Sequence, residues 1–331
     1  MVHGVIARNG LTAVPTGQPG DRQDPARERR HADPVVQALP AEPEVRPAVH
    51  AVGVVMVRPS RTLGVETFFT SFFAGLESHL GGLGISLLLH YAPSREEELE
   101  TYRRWSTERR VDGIVLFDLT VDDPRPRCCA ALGMPAVVVG DPIRAGSSTA
   151  VWTDDATAVT AAVQRLAELG HRRIARVSER VDMVHAIVRT EAFLAACRRL
   201  GLPVPLVVSS DLTPMGGRRI TIELLSRPRR PTAILYDNDL MAVAGLAAAQ
   251  EVGLDVPRDV SLVAYDDSLL CEVTHPALTA VSHDVHSYGV HTAKVLLRVI
   301  GSGGHVPSEL DSVPQLIERG STGRAPLSAV G

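Results

Sequence analysis

The stretch from Pro231 to Asp267, PTAILYDNDLMAVAGLAAAQEVGLDVPRDVSLVAYDD, constrains this chain more than any other. Residues 232–236 are a short apolar run of strand length. Asp237, Asn238 and Asp239 stand at its carboxyl end. Residues 240–252 then read as a helix, small and apolar on most faces. Gly253 suits its C-terminal stop, and Pro257 lies shortly beyond. VSLVAY reads as a second buried strand, with Asp266 and Asp267 at its end. One strand–helix–strand unit therefore sets acidic and amide groups along one carboxyl edge of a parallel sheet. That edge is where open α/β sheets bind ligands. The pattern specifies a binding site and no reaction.

The same alternation fills most of the chain. Strands are predicted at 51–57, 84–91, 111–119 and 135–141, separated by helices at 66–83, 94–110 and 126–133. The helix over 94–110 reads as charged and exposed, with Ser94 as its cap and Glu97 as the capping-box partner. A second series follows: helix 154–169, strand 174–178, helix 189–200, strand 204–211 and helix 216–226, closed by the unit at 231–267. Residues 285–300 read as an amphipathic helix, 313–318 as a closing strand and 323–331 as a frayed tail. Strands alternating with helices predict doubly wound parallel sheets. Two such series in 331 residues predict an α/β fold of two lobes with a ligand cleft between their carboxyl edges.

Several function classes find no support. The net charge of −4 gives no general attraction to nucleic acid or anionic lipid. Cys128, Cys129, Cys197 and Cys271 show neither a CxxC pair nor a metal-ligand spacing and read as reduced thiols. No metal or cofactor is expected. No run of 18 apolar residues predicts a membrane span, and the N-terminus lacks the pattern of a secretion signal, so a cytoplasmic location is expected. GxSxG, HExxH, Walker and strand-following GxGxxG motifs are missing, and GSGG at 301–304 has no strand leading into it. No enzyme activity is expected.

Residues 1–49 differ from the rest. Seven prolines lie between Pro15 and Pro47, and six arginines are matched by six acidic residues. This composition buries too little apolar area to offset backbone ordering, so the segment reads as a disordered arm. Its charge balance makes it no basic DNA-binding tail.

Five motifs resemble one family. LAELGHRRIARVS (166–178), PTAILYDNDLMAVAG (231–245), VPRDVSLVAYDD (256–267), HPALTAVSHDVHSYGVHTAKVLL (275–297) and LIERGST (316–322) are similar, in order and spacing, to the LacI/GalR bacterial transcription regulators. The resemblance covers roughly 51–322. It implies a periplasmic-binding-protein-like type I effector domain that dimerises and senses a small sugar or related metabolite. It also implies three crossings between lobes, with an N-lobe of 51–152 plus 285–309 and a C-lobe of 153–284 plus 310–322. Family members begin with a helix-turn-helix and a hinge helix, and nothing in 1–49 resembles either. DNA binding is thus expected only through a missing helix-turn-helix or a mixed dimer with an intact relative. A solute-binding protein for sugar uptake is the alternative; the LGHRRI and VPRDVS motifs weigh against it. The expected gel-shift result is no operator-like complex that survives competitor DNA near physiological salt. A specific shift under those conditions would contradict this reading.

The candidate ligand-binding residues follow from position. Arg189 opens the R-x-x-A-F helix where the resemblance places a ligand-binding arginine; a guanidinium holds two hydroxyls or a carboxylate in a fork. Asp266 follows a strand and can accept two hydroxyls, or cap a turn. The Asn238 amide offers a donor and an acceptor to a polyol, while Asp239 reads as the helix cap. Phe68 and Phe69 can stack on a ring from the N-lobe; Phe72 and Phe73 read as core. Asp141 and Asp154 can reach the cleft or serve as loop and cap residues. His171, after a helix C-terminus, reads as structural. The helix over 240–252 is expected to carry an exposed apolar face for the dimer, with 66–80 adding an N-lobe contact.

Overall fold

The computed structural model describes residues 50–57, 67–203, 205–304 and 306–326. The expected arm at 1–49 and residues 327–331 of the expected tail lie outside them. Two six-stranded sheets organise the described chain.

The first sheet is built from β1 (Ala51–Val57), β2 (Ser86–Ala92), β3 (Gly113–Leu116), β4 (Ala136–Val139), β5 (Thr149–Thr153) and β11 (Glu309–Ser312). Its order is β11-β5-β4-β3-β1-β2, and every pairing is parallel. Strands covered on both faces need apolar side chains on both, so β1, β3 and β4 are near-continuous hydrophobic runs. Helices α1 (Thr67–Gly81) and α9 (Val285–Ser302) cover one face through Phe72, Leu76, Tyr288 and Leu296. On the other face Tyr102 and Trp105 of α2 (Arg95–Glu108) and Cys129 of α3 (Arg125–Ala131) join Val55, Ile114 and Val138. The α1–α9 contact is close because both helices present glycine: a Cβ at Gly75 would meet the His286 carbonyl oxygen at 2.0 Å, and one at Gly289 the Phe72 oxygen at 2.2 Å.

The second sheet repeats the plan with β6 (Ile174–Ser178), β7 (Leu206–Ser209), β8 (Ala233–Tyr236), β9 (Ser261–Tyr265), β10 (Thr279–Ser282) and β12 (Gln315–Ile317), in the order β12-β10-β9-β8-β6-β7. Only β12 runs antiparallel. Helices α6 (Pro214–Leu225) and α7 (Asp239–Glu251) cover one face; α4 (Asp155–Glu168) and α5 (Val184–Arg199) cover the other. A short α8 (Leu269–Val273) follows β9. Caps fix where the helices begin: Asp154 accepts from Thr157 N at 3.0 Å, Thr213 from Gly216 N at 3.0 Å, and Asp284 from Ser287 N at 2.9 Å. In each sheet the strand order reverses direction beside β1 or β6. Those are the topological switch points, where the carboxyl ends leave a crevice.

The chain passes between the sheets at 153–155, 282–285 and 312–315. Asp154 N donates to Ser312 O at 3.0 Å, tying two of the passages together. A backbone latch joins the lobes elsewhere: Val121 N donates to Asp182 O at 3.0 Å, and Val184 N to Leu119 O at 2.9 Å. The Val184 side chain is buried in the first lobe's core.

Several sequence expectations need correction. The helix over 94–110 is half-buried: Glu98 is fully enclosed, accepting from Tyr102 Oη at 2.6 Å and pairing with Arg125 at 3.2 Å. An interior arginine explains an interior glutamate, and charge alone could not reveal the pairing. Ser94 does cap it, accepting from Glu97 N at 3.3 Å. Residues 310–312 belong to β11 of the first sheet, so the last passage follows Ser312. The tail is pinned as far as Ala325, whose N donates to Leu169 O at 2.9 Å. His171 Nε2 donates to Gly323 O and Nδ1 accepts from Thr232 Oγ1, both at 3.0 Å; burial keeps the ring's pKa low and the ring neutral. Finally, α7 shows no broad exposed apolar face, because Leu240, Met241 and Leu246 are buried in the second lobe.

Candidate functional site

The carboxyl ends of both sheets converge on one cleft of roughly 910 Å³, its open mouth included. Phe117 and Asp118 follow β3, and Gly140 follows β4. Glu179 follows β6; Asp237, Asn238 and Asp239 follow β8; Asp266 follows β9. Thr153, Asp155 and His283 line it from two of the passages between lobes.

Arg189 sits in the second turn of α5, which begins at Val184 and not at Arg189. Its Nε donates to Asp155 Oδ2 at 2.6 Å, and Nη1 reaches Asp237 O at 3.4 Å. Its guanidinium carbon stacks 3.5 Å from the Tyr265 ring centroid. A planar cation held by an ion pair and a π face keeps one orientation. Burial works against the charge on Arg189, but Asp155, Tyr265, Asp237 and Asp266 together outweigh it and hold the guanidinium pKa well above normal. Burial likewise raises the Asp155 pKa, and Arg189 with Thr153 Oγ1, 2.6 Å away, brings it below normal.

Asp266 is different. Its backbone has a φ of 65°, a left-handed conformation that aspartate tolerates better than most residues. Its carboxyl makes no hydrogen bond or ion pair among the described residues. Burial pushes its pKa up to about 7, with Asp239 and Asp155 adding to the rise against Arg189. Glu179 accepts from His185 Nε2 at 2.6 Å. Burial disfavours the charged imidazole, yet Glu179 outweighs it and raises the His185 pKa. Behind the cleft, Asp237 pairs with the fully buried Arg176 and accepts from Ser178 Oγ at 3.0 Å and Glu179 N at 2.7 Å.

The wall from the first lobe is aromatic. Phe68, Phe69, Phe117 and Tyr288 all border the cleft. Phe69 meets Phe117 edge-on with centroids 5.8 Å apart, and Phe68 approaches His283 at 6.3 Å. Phe72 is core, as its spacing suggests.

Of the seven candidates, Arg189, Asp266, Asn238, Phe68 and Phe69 border this cleft, and Asp141 and Asp154 do not. Asp154 caps α4, and its neighbour Asp155 faces the cleft instead. Asp141 is held by Ile143 N and Arg144 Nη1, both at 2.9 Å, within its own loop. The expected cap is corrected: it is Asn238 and not Asp239, while both residues border the cleft. Asn238 is the cap of α7, accepting from Met241 N at 2.8 Å and donating to Leu212 O at 3.1 Å. Asp239 accepts from Leu240 N at 2.7 Å and, across the lobes, from Thr67 Oγ1 at 3.2 Å. The cleft adds Asp118, Asp155, Glu179, His185, His283 and Tyr288, none of them a candidate from sequence. Asp118 and Glu179 do share a signal: each is the acidic residue nearest the carboxyl end of its strand.

Among the described residues no cluster of His, Cys, Asp or Glu is arranged to hold a metal ion, and no helix is long and apolar enough to cross a membrane.

Known proteins share this architecture. The family described as a periplasmic binding protein-like domain matches residues 163–322. The HTH-type transcriptional repressor PurR of Escherichia coli O139:H28 is 29% identical over 270 residues, 80% of this chain and 79% of the repressor. The crystal structure of a LacI family transcriptional regulator from Bifidobacterium animalis subsp. lactis is 31% identical, with a TM-score of 0.76 over 83% of this chain and 98% of that one. A LacI family regulator from Enterococcus faecium, solved with bound ribose, is 26% identical, with a TM-score of 0.71 over 83% of this chain and 99% of that one.

Proposed function

Because the chain belongs to the LacI family of transcriptional regulators, a family of regulators and not of enzymes, we propose that it is the effector-sensing and dimerisation module of such a regulator. The effector is a small sugar-like molecule bound in the cleft between the lobes. The observation that carries this reading is Arg189, fixed by Asp155 and Tyr265 at the rim of a cleft whose opposite wall is aromatic. A ring stacks on Phe68 or Phe69 through its apolar face, and its hydroxyls meet the Arg189 fork and the carboxylates at the strand ends. The ribose held by the Enterococcus faecium relative supports the ligand class.

Ligand binding draws the Phe68 side and the Asp266 side together. The latch at 119–121 and 182–184 fixes the lobes at one edge, so relative motion is confined to rotation about that edge and the three passages. In a dimer such rotation changes the separation of the two first lobes. Dimerisation is proposed through the first lobe, where edge strand β2 and the turn before it leave Leu89 38% and Leu83 48% exposed. Light scattering at micromolar concentration should give the mass of two chains; a strictly monomeric mass would contradict it. The function is tested by a thermal-shift panel of pentoses, hexoses and disaccharides. At least one should raise Tm in a concentration-dependent way, as linkage requires. A panel with no stabilising sugar at saturating concentrations would overturn the reading.

A further inference from the structure

The carboxylates around the cleft outnumber the cations, and their pairing is uneven. Asp155 is matched by Arg189, Asp237 by Arg176 and Glu179 by His185. Asp239 and Asp266 have no cationic partner within ion-pair distance among the described residues. Asp239 has only a threonine hydroxyl and the first-turn amide of its own helix. Asp266 has neither a hydrogen bond nor an ion pair among the described residues, only the longer-range attraction of Arg189 and His185, although it lines the cleft on a backbone conformation that carries a conformational cost. Both line the same cleft, and Asp239 adds to the rise that burial produces in the Asp266 pKa, against Arg189 and His185. His283 also borders the cleft with both ring nitrogens buried and unpartnered. Facing this wall are the rings of Phe68, Phe69 and Phe117, whose π faces attract cations.

Resting on the sugar-sensing reading above, we propose that the effector carries a primary amine: a cationic, hydroxyl-rich molecule of the amino-sugar class, its ammonium seated between Asp239 and Asp266. An ammonium supplies three donors. Two reach the carboxylates in charge-assisted bonds, and the positive charge removes the repulsion between them. The hydroxyls remain for Arg189, and the unpartnered His283 accepts or donates one further bond. Arg189 is already committed to Asp155 and stacked on Tyr265, so it offers a hydroxyl fork and not a free cation for an anionic ligand. Phosphorylated or carboxylated sugars would meet the two unmatched carboxylates with like charge and are excluded.

The test is calorimetry on the full chain at pH 7.5 with matched probes: glucose, galactose and mannose, their 2-amino-2-deoxy forms, the N-acetylated amines and the 6-phosphates. At least one free amine should bind 10-fold or more tightly than its neutral parent. N-acetylation, which removes the charge, should abolish that advantage, and the phosphates should not bind. In Asp266→Asn the amine-to-neutral affinity ratio should fall toward one; Asp239→Asn should lower it too, which guards against a folding defect in either variant. Neutral hexoses binding as tightly as or more tightly than their amines would overturn this inference and leave the sugar-sensing reading intact. Tight binding of a phosphate would overturn it as well. Failure of every probe, amines included, overturns the amine assignment and counts against the sugar-sensing reading also.

Discussion

Arg189→Ala should unfold about 3 kcal/mol more easily than the parent, a drop in Tm of roughly 4–5 °C for a chain of this size. The reason lies in what the substitution leaves behind. Asp155 is 7% exposed and faces Arg189 Nε at 2.6 Å. Without the guanidinium its charge is buried with only the Thr153 and Tyr265 hydroxyls beside it, and an unmatched interior charge costs more than the ion pair itself was worth. The Tyr265 ring also loses the cation stacked on it. The double variant Arg189→Ala, Asp155→Asn should recover most of the stability, because the stranded charge is gone. It should not recover ligand affinity. Thermal melts of the two variants separate these roles; a single variant as stable as the parent would show that Asp155 is satisfied in some other way.

Asp266→Asn should do the reverse and stabilise the protein above neutral pH. The folded carboxyl has a pKa of about 7 against an ordinary value of 3.8. Below about pH 4 both folded and unfolded chains are protonated and the group contributes nothing to the difference. Between about pH 4 and 7 the unfolded chain releases its proton while the folded chain keeps it, so stability falls as pH rises. Above about pH 7 the penalty is complete, on the order of 2–4 kcal/mol, since the gap between the two values costs roughly 1.4 kcal/mol for every tenfold change in proton affinity. Asparagine removes the charge and accepts a left-handed φ. Melts at pH 5 and pH 8 should therefore diverge, with the variant ahead of the parent at pH 8 and the gap much smaller at pH 5. An unchanged gap would mean that the carboxyl titrates normally. A residue that weakens the fold at working pH and keeps a strained backbone is consistent with selection for contact with a ligand.

The sheets are legible in the sequence because parallel strands are apolar on both faces. AVGVVMV and TAILY announce themselves without any partner. The edge strands β11 and β12 are short and partly polar, so ELDS at 309–312 reads as mostly second lobe when it completes the first sheet. The site is legible where position after a strand decides it. Asp266 and Phe68 reach the cleft because the winding of the sheet puts them there. It is illegible where one residue of helical phase decides it. Asp154 and Asp155 are chemically identical, and only the backbone at the start of α4 makes one the cap and the other the partner of Arg189. The cap of α7 falls on Asn238 and not on Asp239 for the same reason. Glu98 reads as solvated because its partners, Tyr102 and Arg125, include one from a separate helix that sequence spacing does not connect to it.

The most direct measurement is isothermal calorimetry of the first stabilising sugar or amino sugar against the parent, Arg189→Ala and Asp266→Asn. Each variant removes charge-assisted hydrogen bonds worth roughly 1.5–3 kcal/mol, so both should bind about 10–100-fold more weakly than the parent. Parent-like affinity in both variants would place the effector somewhere other than this cleft.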